Sequence, residues 1–242
     1  MNWYKKANLW DEIKRHGPKD SSLFPRHATF PYDEGEYEKL VKYLQNKSSI
    51  SREDAEQQVQ SMPEMIRRDY FVSNYGWSVP SEKPLEKLKT FIGNNTVLDV
   101  GSGYGLWARL LQNEGINVIA TTLIPTEDKG HMPRENRSFT NVEDISHLEA
   151  IEKYPEANVL MMSWPPYEDP MAYEALKNFK GNKLIYVGEG GQGCTGCNDF
   201  HSLLDQKWKM VGEDSIDKND FQTIDIPQWS GIHDSIFLYV RK

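Results

Sequence analysis

Three glycines that directly follow a short apolar segment are the clearest sign of chemistry in the sequence. Gly101, Gly103 and Gly105 come after V-L-D-V at 97–100. Glycine lets the backbone turn tightly and lets a ligand approach the main chain where a side chain would clash. The dinucleotide fingerprint G-x-G-x-x-G is excluded because its last position is Leu106, and the P-loop is excluded because no G-K-[S/T] follows. The loop therefore predicts a nucleotide-type ligand; the alternative is a plain turn between a strand and a helix.

Two consecutive prolines mark a second candidate site. Pro165 and Pro166 are flanked by Ser163, Trp164 and Tyr167, directly after another apolar segment. Prolines favour an extended backbone, so the carbonyl groups here can point at a substrate. The tyrosine ring can stack on a planar substrate or face a positive charge. The alternative is a structural Pro-Pro loop whose tyrosine belongs to the core.

A histidine and an aspartate near the carboxyl terminus form a third candidate site. His233 and Asp234 lie in the loop 226–234, between two apolar segments that suit an antiparallel pair. If only the second of these strands is antiparallel to the sheet, their connection lies at the carboxyl edge, beside the other two motifs. An imidazole can take a proton from an amine near neutral pH, and Asp234 can orient the ring. The alternative is that Asp234 caps the strand; Trp229 of the same loop can wall the pocket.

Three weaker features accompany these motifs. Trp77 belongs to an aromatic segment that can cover a ligand or serve as a packed hinge. Glu189, in a glycine-rich loop, can hold a substrate cation. Cys194 and Cys197 are too few to fill the four positions of a structural zinc site, and a redox role is the remaining alternative for them.

The elements that position these motifs alternate between strands and helices from residue 96 onward. Such alternation predicts α/β architecture with a doubly wound, mostly parallel sheet. The last two strands suit an antiparallel pair, and 208–212 competes with 221–226 for the sixth strand. The predicted strands are 97–100, 117–121, 137–142, 157–163, 183–187, 221–226 and 236–240, and the helices among them are 104–114 and 171–179.

The first 85 residues are predicted to be a helical extension that precedes an α/β domain at 86–242 and covers part of its pocket. A first helix ends at Gly17-Pro18, and a second shows apolar residues at helical spacing over 36–45. Ser51, with Asp54 three residues later, predicts the start of a third helix that runs on to Phe71. No strand is predicted before residue 96.

Composition narrows the classes of protein. The chain has 242 residues, a formal net charge of -8 and a mean hydropathy of -0.68, which indicates a soluble globular protein. The negative charge disfavours broad nucleic-acid binding, although residues 1–32 carry +3. Two cysteines, no apolar leader and no apolar stretch of about 18 residues predict a reducing, cytoplasmic location without a membrane span.

The glycine loop resembles that of the class I S-adenosylmethionine-dependent methyltransferases, in which an acidic residue on the first strand precedes G-x-G-x-G. Asp99 and the glycines at 101, 103 and 105 match this pattern, and the resemblance covers about residues 75–242. It implies S-adenosylmethionine as cofactor, no metal, and a seven-stranded sheet whose last strand is antiparallel. It also implies that Asp99 orients the loop or the methionine amino group, while the loop amides pass beneath the ligand.

The second strand departs from the family pattern. Such methyltransferases usually carry an acidic residue there that binds the ribose hydroxyls, but this chain has Thr122, followed by Leu123, with acidic residues at 127–128 further along. A hydrogen bond to a charged group is worth about 1.5–3 kcal/mol, so its loss would weaken binding about 10- to 100-fold unless another group substitutes. Glu143 and Asp144 follow the predicted third strand, where the family contacts adenine; the alternative is that they are solvated loop acids.

The Pro-Pro segment is similar to the [Asp/Asn/Ser]-Pro-Pro-[Tyr/Phe/Trp] motif of amino-directed methyltransferases. In that motif the first residue accepts a hydrogen bond from the amine, whereas Trp164 occupies this position here and Ser163 lies one residue too early. The departure disfavours methylation of a DNA or RNA base. Methylation of an amine stays open through backbone carbonyls.

The sequence therefore predicts an S-adenosylmethionine-dependent methyltransferase that acts on a nitrogen of an unidentified acceptor. A protein that binds S-adenosylmethionine or S-adenosylhomocysteine without catalysis is the alternative, and a nucleic-acid base methyltransferase is the third hypothesis. The predicted catalytic residues are Trp164, Pro165, Pro166, Tyr167, His233 and Asp234. The predicted cofactor-binding residues are Trp77, Asp99, Gly101, Ser102, Gly103, Gly105, Thr122, Leu123, Glu143, Asp144 and Ser163.

Overall fold

The computed structural model describes residues 6–19, 35–123, 138–191, 193–211 and 223–242. The helices in these ranges are α1 (Lys6–His16), α2 (Glu36–Ser48), α3 (Arg52–Ser61), α4 (Pro63–Asn74), α5 (Leu85–Ile92), α6 (Leu106–Asn113), α7 (His147–Lys153), α8 (Met171–Asn178) and α9 (Asn198–Lys207). The strands are β1 (Val97–Val100), β2 (Val118–Thr122), β3 (Val142–Asp144), β4 (Val159–Ser163), β5 (Lys183–Gly188), β6 (Trp208–Met210), β7 (Thr223–Asp225) and β8 (Ser235–Arg241). Among the described residues, no helix has the length and apolarity needed to cross a bilayer.

The chain groups into two compact units. The first comprises Met1–Tyr75 and Trp229–Gly231, and the second comprises Gly76–Gln228 and Ile232–Lys242. The division into domains after residue 85 stays a prediction.

A single sheet organises the second unit, with the strand order β3-β2-β1-β4-β5-β8-β6. Strands β1 to β5 pair in parallel, and β8 is antiparallel to β5. Helices connect most of the parallel strands and cover the central ones, so that every residue of β1 is buried and four of the five residues of β4 are buried. The doubly wound, mostly parallel α/β fold predicted from the sequence is thus confirmed, including its antiparallel strand.

The two segments that competed for the sixth strand both belong to the sheet. Trp208 pairs with Arg241 in β6, and Thr223 pairs with Phe237 in β7. Because the other edge of β8 is taken by β5, β6 and β7 follow one another along the same edge. They therefore act as two short parts of one interrupted strand. The two segments competed for the sixth strand in the sequence analysis because each of them supplies three residues of it.

The third strand begins where its prediction ends. The sequence places a strand at 137–142, whereas β3 starts at Val142, and residue 137 lies outside the described residues. The amide of Phe139 donates to the carbonyl of Tyr104 at 2.8 Å, which takes this residue out of the sheet. Glu143 and Asp144 therefore lie within β3 and not after it, as a correction of their predicted place.

The helix predicted from Ser51 to Phe71 is two helices. Ser51 caps α3 as predicted, because its side chain accepts a hydrogen bond from the amide of Asp54. The break follows from Pro63, which lacks an amide hydrogen and clashes with the preceding turn of a continuous helix. Proline fits the first position of a helix instead, and α4 begins there.

The first unit contains α1 to α4. As predicted, no strand lies before residue 96 within the described ranges 6–19 and 35–95. A buried ion pair joins α2 to α4, with Arg67 Nε at 2.6 Å and Nη2 at 2.8 Å from the carboxylate of Glu36. Trp229 is buried in this unit, where its ring meets Phe71 edge-on at 5.8 Å.

Candidate functional site

The carboxyl end of β1 is the point where the order of the sheet reverses, because β2 lies on one side of β1 and β4 on the other. In open α/β sheets, ligands bind in the crevice at such a switch point. The glycine loop follows β1 directly, and the Pro-Pro segment follows β4 directly. The fold therefore places two of the three predicted motifs at the edge where a ligand site is expected.

The glycine loop adopts the left-handed backbone that its sequence predicts. Gly101, Gly103 and Gly105 have φ values of 68°, 56° and 73°. The positive φ favours glycine at position 101, and a Cβ atom there would lie 2.4 Å from Cε of Met171, so the end of this flexible side chain would have to move. At Gly103 no atom of the described chain lies within 4 Å of the Cβ position, so this part of the loop faces open space that a ligand can use.

The amino terminus of α6 continues the loop with its amides free of side-chain caps. Gly105 is the N-cap and provides no side-chain hydrogen bond, which leaves the first amides of the helix available to a polar ligand. The amide of Ser102 donates to the carbonyl of Thr121 at 3.0 Å and thereby ties the loop to β2. The hydroxyl oxygen of Ser102 is buried without a hydrogen-bond partner among the described residues.

Asp99 is the most unusual group at this edge. Its side chain is 1% exposed, and its Oδ1 has no hydrogen-bond partner among the described residues. Burial raises the pKa of the carboxyl to about 8, because the charged form loses its hydration. An unsatisfied buried polar group costs about 1–3 kcal/mol, so its presence beside an open glycine loop points to a ligand group that completes it.

The predicted adenosine-binding residues are spread along β2 and β3. Thr122 is buried at the end of β2 and pairs in register with Asp144, while Leu123 is exposed. The carboxylate of Glu143 accepts hydrogen bonds from Lys153 Nζ at 2.7 Å and from the Tyr154 hydroxyl, and these two bonds hold its pKa below the usual range. Glu143 is thus engaged with α7 and its C-cap, and Asp144 is the last residue of β3.

Trp77 and Trp164 are brought together by the fold. Their rings stack with centroids 5.2 Å apart and an angle of 13° between planes. Ser78 anchors this arrangement, because its hydroxyl lies 2.8 Å from that of Ser163 and accepts a hydrogen bond from Trp107 Nε1 at 2.8 Å. The sequence analysis missed Ser78 and Trp107, since a lone serine and an apolar-face tryptophan give no signal without the tertiary contact.

The indole of Trp164 is paired with the third motif. Its Nε1 donates to Oδ1 of Asp234 at 2.7 Å, and Asp234 is 1% exposed. Trp164 itself has a φ of 52°, and its amide donates to the carbonyl of Val187 at 2.8 Å. The structure therefore joins the Pro-Pro segment to the loop before β8 through a hydrogen bond between two predicted residues.

The carbonyls of the Pro-Pro segment are only partly available to a substrate. The carbonyl of Pro165 accepts from the amide of Gly196 at 3.0 Å, which uses one of its two lone pairs. Pro166 and Tyr167 are exposed, the latter by 57%. Because Pro165 is buried, an acceptor at this segment would meet mainly the exposed Pro166 and the ring of Tyr167.

His233 and Glu189 meet through the backbone. The exposed His233 donates its amide to Glu189 Oε1 at 3.0 Å, and Oε2 accepts the amide of Cys194 at 2.6 Å. Burial raises the pKa of Glu189, but these amide hydrogen bonds outweigh it and lower the pKa overall. Both carboxylate oxygens of Glu189 thus clamp two loops, and a bond to a substrate cation stays a prediction.

No family model and no curated protein matches the chain. Several solved structures resemble it at low similarity. A putative tRNA (m1A22) methyltransferase from Streptococcus pneumoniae, in complex with S-adenosyl-L-methionine, has a TM-score of 0.42 and 17% identity over 67% of this chain and 73% of that one. Magnesium protoporphyrin IX methyltransferase from Synechocystis PCC 6803 has a TM-score of 0.44 and 13% identity over 74% and 97%. At TM-scores below 0.5, these similarities decide neither the ligand nor the reaction.

Proposed function

We propose that the second unit binds S-adenosylmethionine over the glycine loop and transfers its methyl group to a nitrogen. The observation that carries the proposal is Asp99, a buried carboxyl with an unpartnered oxygen beside three left-handed glycines at the switch point of the sheet. The methionine part of the donor carries an ammonium group, which is the kind of group that this carboxyl lacks. Beside it, Gly103 provides backbone without a side chain in the way.

The remaining residues have positioning roles in this proposal. Thr122 gives a neutral hydroxyl contact to the ribose, and Asp144 lies next to it in register for the adenine. Trp77 covers the donor with its ring, and the next residue, Ser78, ties this segment to Ser163 at the end of β4. The donor supplies an electrophilic methyl carbon, so the protein contributes mainly by holding the acceptor nitrogen in line at about 3–3.5 Å.

A role in binding without catalysis is the second candidate. Two observations favour it: the indole of Trp164 is a donor where the family motif has an acceptor, and its N–H already pairs with Asp234. The occupied lone pair of Pro165 points the same way. Both candidates require the donor to bind, and they differ only in whether a methyl group leaves it.

Calorimetric titration with S-adenosylmethionine and S-adenosylhomocysteine tests the shared step. We expect micromolar binding by the natural chain. We expect Thr122→Asp to bind about 10- to 100-fold more tightly, because a carboxylate would make a charged hydrogen bond to the ribose. Thr90→Asp, an exposed change on α5, is the control and should leave the affinity unchanged.

The outcomes separate the candidates. Absence of binding by both the natural chain and Thr122→Asp would overturn the proposal. If the donor binds, incubation with methyl-labelled S-adenosylmethionine and a panel of amines distinguishes the two roles. Release of S-adenosylhomocysteine together with a labelled amine supports transfer, whereas binding without either product supports the non-catalytic role.

A further inference from the structure

A cavity of about 270 Å³ lies between the loop after β4 and the loop after β5. Its walls include Tyr167, Glu168, Cys197, Asp199 and His201, together with glycines of the second loop. Of these five residues, only Tyr167 was among the predicted site residues. The cavity adjoins the Pro-Pro segment in the chain, because Tyr167 and Glu168 follow it directly.

Backbone hydrogen bonds fix this wall to the Pro-Pro segment. The amide of Gly196 donates to the carbonyl of Pro165 at 3.0 Å, and the amide of Glu168 donates to the carbonyl of Gly196 at 3.1 Å. The two loops are therefore held in one arrangement on both sides of the cavity. A ligand in it would lie beside the segment that the proposed function assigns to the acceptor.

His201 has a defined proton position in this cavity. Its Nε2 lies 2.9 Å from the carbonyl oxygen of Thr195. A carbonyl can only accept, so Nε2 carries the hydrogen, and Nδ1 of the neutral ring holds a free lone pair. Nδ1 lies near Gly191, a glycine of the cavity wall, because a Cβ atom on Gly191 would be 3.6 Å from Cγ and 3.7 Å from Nδ1 of the ring.

Thr195, whose carbonyl orients His201, is itself held through its side chain. Thr195 is completely buried, and its hydroxyl oxygen accepts the amide of Glu189 at 3.0 Å and donates to the carbonyl of Glu189 at 2.9 Å. The hydroxyl of Tyr186 is a further hydrogen-bond partner of Thr195. An imidazole held in one tautomer by a fixed acceptor is the arrangement that a general base requires.

Charge defines the class of ligand. The exposed Glu168 and Asp199 are the acidic residues of the wall, and no lysine or arginine is among the described residues that line it. The uncapped amino terminus of α9 also lines the cavity and favours an anion, but its partial charge of about +0.5 is smaller than the two full negative charges of the acidic residues. The net charge therefore favours a cation over a phosphate. The exposed ring of Tyr167 adds a face that attracts a cationic group.

We propose that this cavity binds the methyl acceptor as a compact protonated amine and that Nδ1 of His201 removes its proton. This inference rests on the proposed function. The ammonium group gives one proton to Nδ1, which leaves a neutral amine and an imidazolium whose Nε2–H still donates to Thr195. The freed lone pair then forms the N–C bond to the methyl group as the C–S bond of the donor breaks, so the product is a protonated methylamine.

Binding of benzylamine to the full chain tests the cavity without the methyl donor. The alcohol of the same shape, benzyl alcohol, is the neutral comparison. In NMR titrations with ¹⁵N-labelled histidine, we expect benzylamine to shift the ring signals of His201 in a saturable way. We expect benzyl alcohol to bind at least about tenfold more weakly, because it lacks the charge that the carboxylates attract.

Two aspartates on α9 provide the matched variants. Asp199→Asn should weaken benzylamine binding at least about fivefold, whereas Asp205→Asn, in the last turn of the same helix and outside the cavity wall, should leave it unchanged. The same spectra should show the Nε2–H tautomer of His201 in the free protein. Equal binding of the amine and the alcohol, equal effects of the two variants, or an Nδ1–H tautomer would overturn the inference.

The design keeps the two proposals separable. If S-adenosylmethionine binds and benzylamine does not, the acceptor cavity is wrong while the proposed function stands. If benzylamine binds as expected and S-adenosylmethionine does not, the proposed function fails, and with it the assignment of this cavity to a methyl acceptor.

Discussion

Asp99 combines an almost complete burial with a carboxyl oxygen that has no partner in the described chain. Burial raises its pKa from 3.8 to about 8, so the folded protein holds the proton up to about pH 8 while the unfolded chain releases it near pH 3.8. Within this window the folded state binds more protons than the unfolded state. Stability due to this group is therefore present at low pH and is lost as the pH rises.

A neutral residue of the same shape should remove this loss. We expect Asp99→Asn to be more stable than the natural chain by about 1–3 kcal/mol at pH 8.5, and the difference to shrink toward pH 5. Urea unfolding at pH 5, 7 and 8.5 measures it. Asp205→Asn, an exposed change, is the control. A contrary result would be a difference in the free energy of unfolding between Asp99→Asn and the natural chain that is the same at all three pH values. In that case the carboxyl is ionised in the folded state, and the argument for a missing ligand group fails.

The glycine loop is the element that decides whether a ligand can reach the main chain. Gly103 and Gly115 share a positive φ, 56° and 82°, and neither has an atom within 4 Å of its Cβ position. They differ in place, because Gly103 lies in the loop after β1 whereas Gly115 follows the end of α6. A comparison of substitutions at these two positions therefore separates the effect of backbone strain on stability from the effect of a side chain on ligand binding.

Replacing each glycine by alanine should cost similar stability, about 1–2 kcal/mol, because both would force a side chain into the left-handed region. Only Gly103→Ala should also weaken the binding of S-adenosylmethionine, by at least about tenfold, because the methyl group of the new alanine would occupy the open space above the loop. Urea unfolding and calorimetric titration measure the two effects. Equal affinities of the two variants would mean that the donor does not lie over Gly103.

Charge acts at the scale of the whole molecule. A formal net charge of -8 disfavours the binding of a polyanion such as a nucleic acid. Residues 1–80 carry no net charge, because they contain twelve basic and twelve acidic residues. We expect no salt-sensitive binding of duplex DNA or of RNA in filter-binding assays between 50 and 200 mM salt. The protein would make few contacts to phosphates and would therefore release few counterions. Affinity that falls steeply over this range would contradict the expectation and revive the hypothesis of a nucleic-acid base as acceptor.

The sequence by itself determined the class of fold and the place of the glycine loop. Alternating apolar segments and helices predict a parallel sheet because strands covered on both faces must be apolar throughout. The positive φ of Gly101, Gly103 and Gly105 follows from their residue type directly after β1. The break before Pro63 was also determined by sequence, through the missing amide hydrogen, although the helical spacing around it concealed the break.

Only the tertiary structure decided which side chains meet. The Trp164–Asp234 hydrogen bond joins residues 70 positions apart, and the Ser78–Ser163 contact joins residues 85 positions apart. The tautomer of His201 depends on a carbonyl of the preceding loop. Spacing along a chain fixes neighbours within one helix or strand, whereas these contacts depend on the order of strands in the sheet. The antiparallel β8 brings the loop that holds Asp234 to the carboxyl ends of β4 and β5, as the sequence predicted, but the individual side-chain partners within that edge follow from no local pattern.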